Sequence, residues 1–222
     1  TYNGETYELP RHGFARNIEF SFDKRSEHQV IFELNETEET KTVYPFNFKL
    51  LMAYTLMDNE LVIEYFVRNQ SDEVLPFSIG AHPAFAITGN FENYSLKFNK
   101  EDSFETHHLE NESFNGKTTL VETRNNSIAL NYALFEKDAL VFKHLKSNEV
   151  VLKHLDKSIL KVNFDHFPYL GIWTKQNAPF LCIEPWCGLA DSITHNGNLE
   201  EGVNYLPAGE DFLRAIRIEI LE

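Results

Sequence analysis

The stretch Glu60-Leu-Val-Ile-Glu-Tyr-Phe-Val-Arg-Asn69 decides the fold class. Its β-branched and aromatic residues suit a pleated, half-buried surface. It runs directly into Asn69-Gln-Ser-Asp72, four residues that favour a turn, so a reversal follows the strand. Segments of the same character lie on both sides, at residues 18–22, 30–34, 46–54, 94–98, 127–130, 140–143, 150–154, 159–164, 170–174, 180–184 and 213–221. Helical periodicity is scarce. The one helix the pattern allows is short, at residues 131–137, and the apolar spacing within 144–155 reads as a turn between two strands. A chain of strands must stack or close its sheets to hide their edges and apolar faces. The expectation is an all-β, large antiparallel β-sandwich.

Composition narrows the function. A chain of 222 residues that is 42% hydrophobic and 14% aromatic can bury one large core, so residues 1–222 are expected to form a single domain. Lys and Arg number 20 against 34 Asp and Glu, a net charge of −14. That balance repels phosphate backbones and anionic lipid surfaces, which argues against nucleic acid and membrane partners. No apolar run approaches the ~20 residues a bilayer crossing needs, and no charged-then-apolar leader opens the chain; a cytoplasmic location is expected. Two cysteines, Cys182 and Cys187, are too few for a disulfide framework and read as reduced thiols. The Asn-x-Ser/Thr triplets at Asn35, Asn69, Asn93, Asn111 and Asn125 are what an Asn-rich surface yields by chance. An acidic surface fits a monomer and a symmetric homodimer alike.

Several chemistries find no support. The glycines at Gly80-Ala-His-Pro, Gly188-Leu-Ala and Gly202-Val-Asn lack the spacing that wraps a pyrophosphate, and no Gly-x-Ser-x-Gly elbow is present. The metal-ligand candidates, His107-His108 and Cys182 with Cys187, lack a recognised ligand spacing. Adjacent histidines in a strand also point to opposite faces. No metal and no cofactor is expected. In an extended segment Cys182 shares a face with Glu184, while Leu181 and Ile183 face the other side.

Three segments place ionisable residues among aromatic, Pro and Gly residues where a sheet meets a loop. They are Leu9-Pro-Arg-His-Gly-Phe-Ala-Arg-Asn17, Phe77-Ser-Ile-Gly-Ala-His-Pro-Ala-Phe85, and Pro168-Tyr-Leu-Gly-Ile-Trp-Thr174 leading to Cys182-Ile-Glu-Pro-Trp-Cys-Gly188. Taken singly, a histidine in an apolar strand is ordinarily a structural residue, and a glutamate before proline a strand-end surface charge. Taken together, Arg-His-Gly-Phe-Ala-Arg at 11–16, Gly-Ala-His-Pro-Ala-Phe at 80–85, and Pro-Tyr-Leu-Gly-Ile-Trp-Thr at 168–174 with Ile-Glu-Pro-Trp at 183–186 resemble the LacX-like branch of the aldose 1-epimerases. Their order and spacing agree along nearly the whole chain.

The resemblance implies the galactose mutarotase fold and interconversion of the α and β anomers of an aldose, with a sugar as partner. By position, His82 matches the family's catalytic acid and Glu184 its catalytic base; to remove one proton and deliver another at once, the two are expected on opposite sides of the sugar. His12 and Arg16 match a substrate-contacting pair, and Asp138 falls about where the family keeps a sugar-binding Asp. Trp173, Trp186, Phe85 and Tyr169 are candidates for an apolar sugar platform, with Trp173 and Trp186 foremost, and each also suits plain core. Arg11 is expected to point to solvent unless a phosphorylated sugar is bound. Family members carry further strands before the His-Gly-Phe-Ala-Arg segment, and the amino-terminal strands are expected to be lacking here. Two other classes stay open: a carbohydrate-binding or sensing protein on the same fold, and a metal-dependent β-barrel enzyme.

Overall fold

The stretch 60–69 is a strand, Glu60–Asn69, inside a nine-stranded antiparallel sheet. In spatial order this sheet runs Ser21–Arg25, Gln29–Asn35, Phe48–Met57, Glu60–Asn69, Asp211–Ile220, Lys157–Asn163, Glu149–His154, Tyr94–Phe98 and Ser127–Ala129. A second sheet runs Leu140–Phe142, Tyr169–Trp173, Phe180–Cys187; beyond the last strand, Ile79–Gly80 and Ala84–Ala86 both pair with its far edge. The computed structural model describes residues 1–101, 103–197, 199 and 202–221.

The sandwich core lies between these sheets. Leu96, Phe98, Val150, Leu152, Val162 and Ile216 from the first meet Phe142, Leu170, Ile172, Leu181 and Ile183 from the second. Leu170, Ile172, Leu181 and Ile183 are at most 1% exposed, and each such aliphatic contributes ~1.5–3 kcal/mol by leaving water. Strand alternation then turns Tyr169, Gly171 and Trp173, together with Cys182, Glu184 and Trp186, to the outer face of the second sheet. The core face fixes the register, because a one-residue slip would expose all four aliphatics.

The sandwich is as expected, but it contains more strands than the expected twelve. The hairpin Glu105–Glu110 with Ser113–Leu120, the short strands Leu75–Phe77, Ile79–Gly80 and Ala84–Ala86, and Asn204–Leu206 had little apolar alternation to reveal them. The strand expected at 18–22 begins later, at Ser21, because it pairs back through a turn closed by the Ser26 N–H donating to the Gln29 carbonyl. The short helix expected at 131–137 is a single 3-10 turn, Tyr132–Phe135, capped by the Asn131 side chain. An α-helix at Glu38–Val43 corrects the expectation of one helix only: Thr37 and Thr40 cap each other reciprocally, with Glu38 and Glu39 in the favourable first turn. Among the described residues no helix is long and apolar enough to cross a membrane.

Candidate active site

Strand register brings His82 to Glu184. Gly80 pairs with Trp186 and Ala84 with Cys182, so residue 82 falls opposite residue 184. The intervening backbone confirms it: the Ala81 N–H donates to the Pro185 carbonyl at 2.9 Å and the Ile183 N–H to the Pro83 carbonyl at 3.3 Å. Directly opposed side chains on one face are close neighbours. His82 Nδ1 lies 3.5 Å from Glu184 Oε1, with the imidazole side chain 44% exposed and the carboxylate 5%. The two side chains are therefore in contact on one face of the second sheet. Neighbouring strands leave no room for a sugar between them.

On the other flank Glu184 is paired with Gly171. The missing side chain there is filled by the Trp186 indole, which lies across the strands: a Cβ at Gly171 would sit 2.4 Å from Trp186 Cζ2, and one at Gly80 2.6 Å from Cδ1. Glycine inside a strand here marks close approach of another group. Gly171→Ala is expected to push the indole off this floor, costing about 1–3 kcal/mol in urea unfolding and shifting tryptophan fluorescence. Unchanged values on both would mean the indole does not rest there.

His12 sits in a tight turn that the Gly13 N–H closes on the Pro10 carbonyl at 2.9 Å. Its φ of 69° is left-handed, a region histidine visits more readily than most residues. The turn aims the His12 ring edge-on at His82, with centroids 5.7 Å apart, while Trp173 meets His82 from another direction at 6.3 Å. Asp138, with φ 99°, precedes Leu140–Phe142 and is held by the Ala139 N–H donating to its Oδ1 at 2.8 Å. Two members of this cluster thus occupy unfavourable backbone regions, each at a cost of ~1–3 kcal/mol that the surroundings must offset. Arg16, exposed in the 3-10 turn Ala15–Asn17, is near enough for its charge to disfavour protonation of both His12 and His82.

Arg11 is exposed, as expected, and from there pairs with Asp138 at 3.5 Å and with Glu112 at 3.4 Å. Glu112 is at the turn of the hairpin that the sequence did not reveal, so this contact had no sequence signal. Of the four aromatic candidates, Phe85 takes the core alternative: it pairs with Leu181 and packs into the core, while Trp173, Trp186 and Tyr169 share the outer face with Glu184.

Burial pushes the Glu184 carboxyl up to about 7; a hydrogen bond from the Trp186 indole and the Arg11 charge oppose this, and the Asp138 charge adds to it. Burial lowers His82 below 6.5, with Arg16 and Arg11 acting in the same direction and a backbone hydrogen bond opposing them. His12 is lowered chiefly by burial, then by Arg11. Burial raises the Cys182 thiol to about 12. The nearby charge that favours ionised Glu184 is that of Arg11. A cavity of about 360 Å³ lies elsewhere, lined by Tyr2, Glu5, Tyr7, Phe46 and Glu73 among others. It contains no histidine, so chemistry rather than volume singles out the His82–Glu184 face.

The sequence model of the family described as aldose 1-epimerase matches residues 1–202. The chromosomal protein LacX of Lactococcus lactis subsp. lactis is 34% identical over 207 residues, which cover 87% of this chain and 68% of that protein. The crystal structure of a galactose mutarotase related enzyme from Lactobacillus acidophilus superposes with a TM-score of 0.93 at 32% identity, covering 100% of this chain and 77% of that one. A galactose mutarotase-like protein from Lactobacillus casei superposes at 0.89 with 26% identity, covering 98% and 78%. With the β-sandwich and these comparisons in place, the chain belongs to the aldose 1-epimerase family, in its LacX-like branch.

Proposed function

We propose that this chain interconverts the α and β anomers of an aldose, a hexose such as glucose or galactose, with His82 and Glu184 as an acid–base pair. The 3.5 Å approach of imidazole to carboxylate carries the reading. Mutarotation removes the proton of the anomeric hydroxyl and delivers one to the ring oxygen, so that the ring opens to the aldehyde. Both oxygens hang on one carbon, which is why adjacent groups on one side can serve both. With the proton on His82 and Glu184 ionised, the carboxylate takes the hydroxyl proton while the imidazolium protonates the ring oxygen. Rotation about C1–C2 presents the other carbonyl face, and closure runs with the roles exchanged. Two proton transfers complete the reaction without electron transfer, so no redox group or metal is called for.

His12, Arg16 and Asp138 border the pair as sugar-binding groups, and Trp173 and Trp186 provide apolar surface for a sugar face. Arg11 joins them as the group that fixes Asp138. Two free, buried thiols favour the reducing cytoplasm as the working compartment.

The competent pair holds one proton in all. With Glu184 at about 7 and His82 below 6.5, kcat/KM is expected to be bell-shaped: falling on the alkaline side near 7 as the last proton leaves, and on the acid side below 6.5 as a second one binds. Polarimetry of freshly dissolved α-glucose or α-galactose across pH, with a chelator present, measures this. Sugar binding by calorimetry with no acceleration at any pH would replace the enzyme with a carbohydrate-binding protein.

A further inference from the structure

We infer that the outer face of Phe180–Cys187 is also a site for a borderline-soft divalent cation such as Zn²⁺, held by His82, Cys182 and Glu184, and that its occupation switches anomerisation off. One ligand atom from each of these residues lies within 4.8 Å of the other two. Nitrogen, sulfur and carboxylate oxygen are the donor types zinc takes, with bonds of about 2.0–2.3 Å, so tetrahedral neighbours stand roughly 3.3–3.7 Å apart. The His82–Glu184 contact at 3.5 Å already has that edge length. Drawing Cys182 Sγ inward completes a three-donor set.

The arrangement follows from the same pairing that builds the acid–base pair. Cys182 and Glu184 are two apart on one strand, and His82 opposes Glu184 from the next. The exposed imidazole gives a cation its approach, while the buried thiol and carboxylate receive it. The Trp186 indole, hydrogen-bonded to Glu184, orients the carboxylate as outer partners of metal ligands do. A fourth position is left on the side of the exposed imidazole for water. Thiolate coordination displaces the sulfhydryl proton to solvent and selects against Mg²⁺ and Ca²⁺. The inhibitory part rests on the anomerase reading: the cation occupies the lone pairs that the proton transfers need. The thiol itself takes no part in those transfers.

The test separates the two claims. Co²⁺ added to the chelator-stripped protein is expected to give a thiolate-to-cobalt charge-transfer band that saturates at one equivalent and is displaced by Zn²⁺. Cys182→Ser and Cys182→Ala should abolish the band and weaken Zn²⁺ binding at least ~10-fold in calorimetry, with circular dichroism unchanged; Cys187→Ala should retain both. Zn²⁺ should stop anomerisation reversibly, Mg²⁺ should not, and Cys182→Ser should keep basal activity while needing at least ~10-fold more Zn²⁺. An active protein without the band, or with a band indifferent to Cys182, overturns the cation site. A band dependent on Cys182 in a protein with no anomerase activity upholds the site and overturns the enzyme. Acceleration by Zn²⁺ overturns the inhibitory role in favour of a metal-dependent enzyme.

Discussion

Glu184→Gln is expected to slow anomerisation by at least ~10²-fold, within the ordinary yield of a general base, while making the protein more stable at neutral pH. The amide keeps the shape of the side chain and accepts the Trp186 indole hydrogen bond, but it cannot take up a proton. The stability gain follows from burial. The folded carboxyl is raised to about 7 from its ordinary 4.5, so between those values the folded chain binds more protons than the unfolded one, and stability falls as pH rises through that window. Above it the wild type carries a penalty of up to on the order of 3 kcal/mol that glutamine relieves. At pH 8 the variant should melt higher than the wild type, and below pH 4.5 the difference should vanish. A glutamate that merely held the fold together would show the reverse, a loss of stability. Full activity in the variant would remove Glu184 from the mechanism.

His82→Asn is expected to cost at least ~10²-fold as well, by a different signature. The imidazole is 44% exposed, and its contacts are the edges of His12 and Trp173 and the Glu184 carboxylate. Substitutions at such positions usually change stability by no more than ~0.5 kcal/mol, so the melting curve should hardly move. Asparagine can donate a hydrogen bond, yet it has no proton to give near neutrality. Sugar affinity in calorimetry should survive, since His12, Arg16, Asp138 and the tryptophans are untouched. A variant that turns over normally would leave Glu184 with another partner, and His12 would be the next to test.

What the sequence revealed was set by how locally each feature is encoded. The stretch 60–69 and its counterparts alternate strongly enough to announce strands, and strands without helices leave a sandwich as a natural outcome. Leu75–Phe77 and Ala84–Ala86 escaped because Pro76 and Pro83 interrupt short runs, and Glu105–Glu110 with Ser113–Leu120 because His, Thr, Gly and Lys fill positions where apolar residues would have shown. His82 and Glu184 were legible through their motifs, not through their pairing: register across strands a hundred residues apart depends on the folded core. Arg11 was missed for the same reason, its carboxylate partners lying at 112 and 138. The His82–Cys182–Glu184 convergence has no sequence spacing, because two adjacent strands assemble it. Phe85 was left between platform and core by the sequence; once Ala84 is paired with Cys182, alternation sends residue 85 into the core.

Whether His82 and Glu184 work as one proton-transferring unit is tested most directly by a double-mutant cycle in the polarimeter. His82→Asn, Glu184→Gln and the combined variant are compared with the wild type at pH 7. Groups that act together give strongly non-additive losses, so the double variant should be no slower than the slower single one, within about 3-fold. Losses that multiply, each substitution taking its full factor regardless of the other, would mean that the two side chains act independently and would contradict the shared-proton pair.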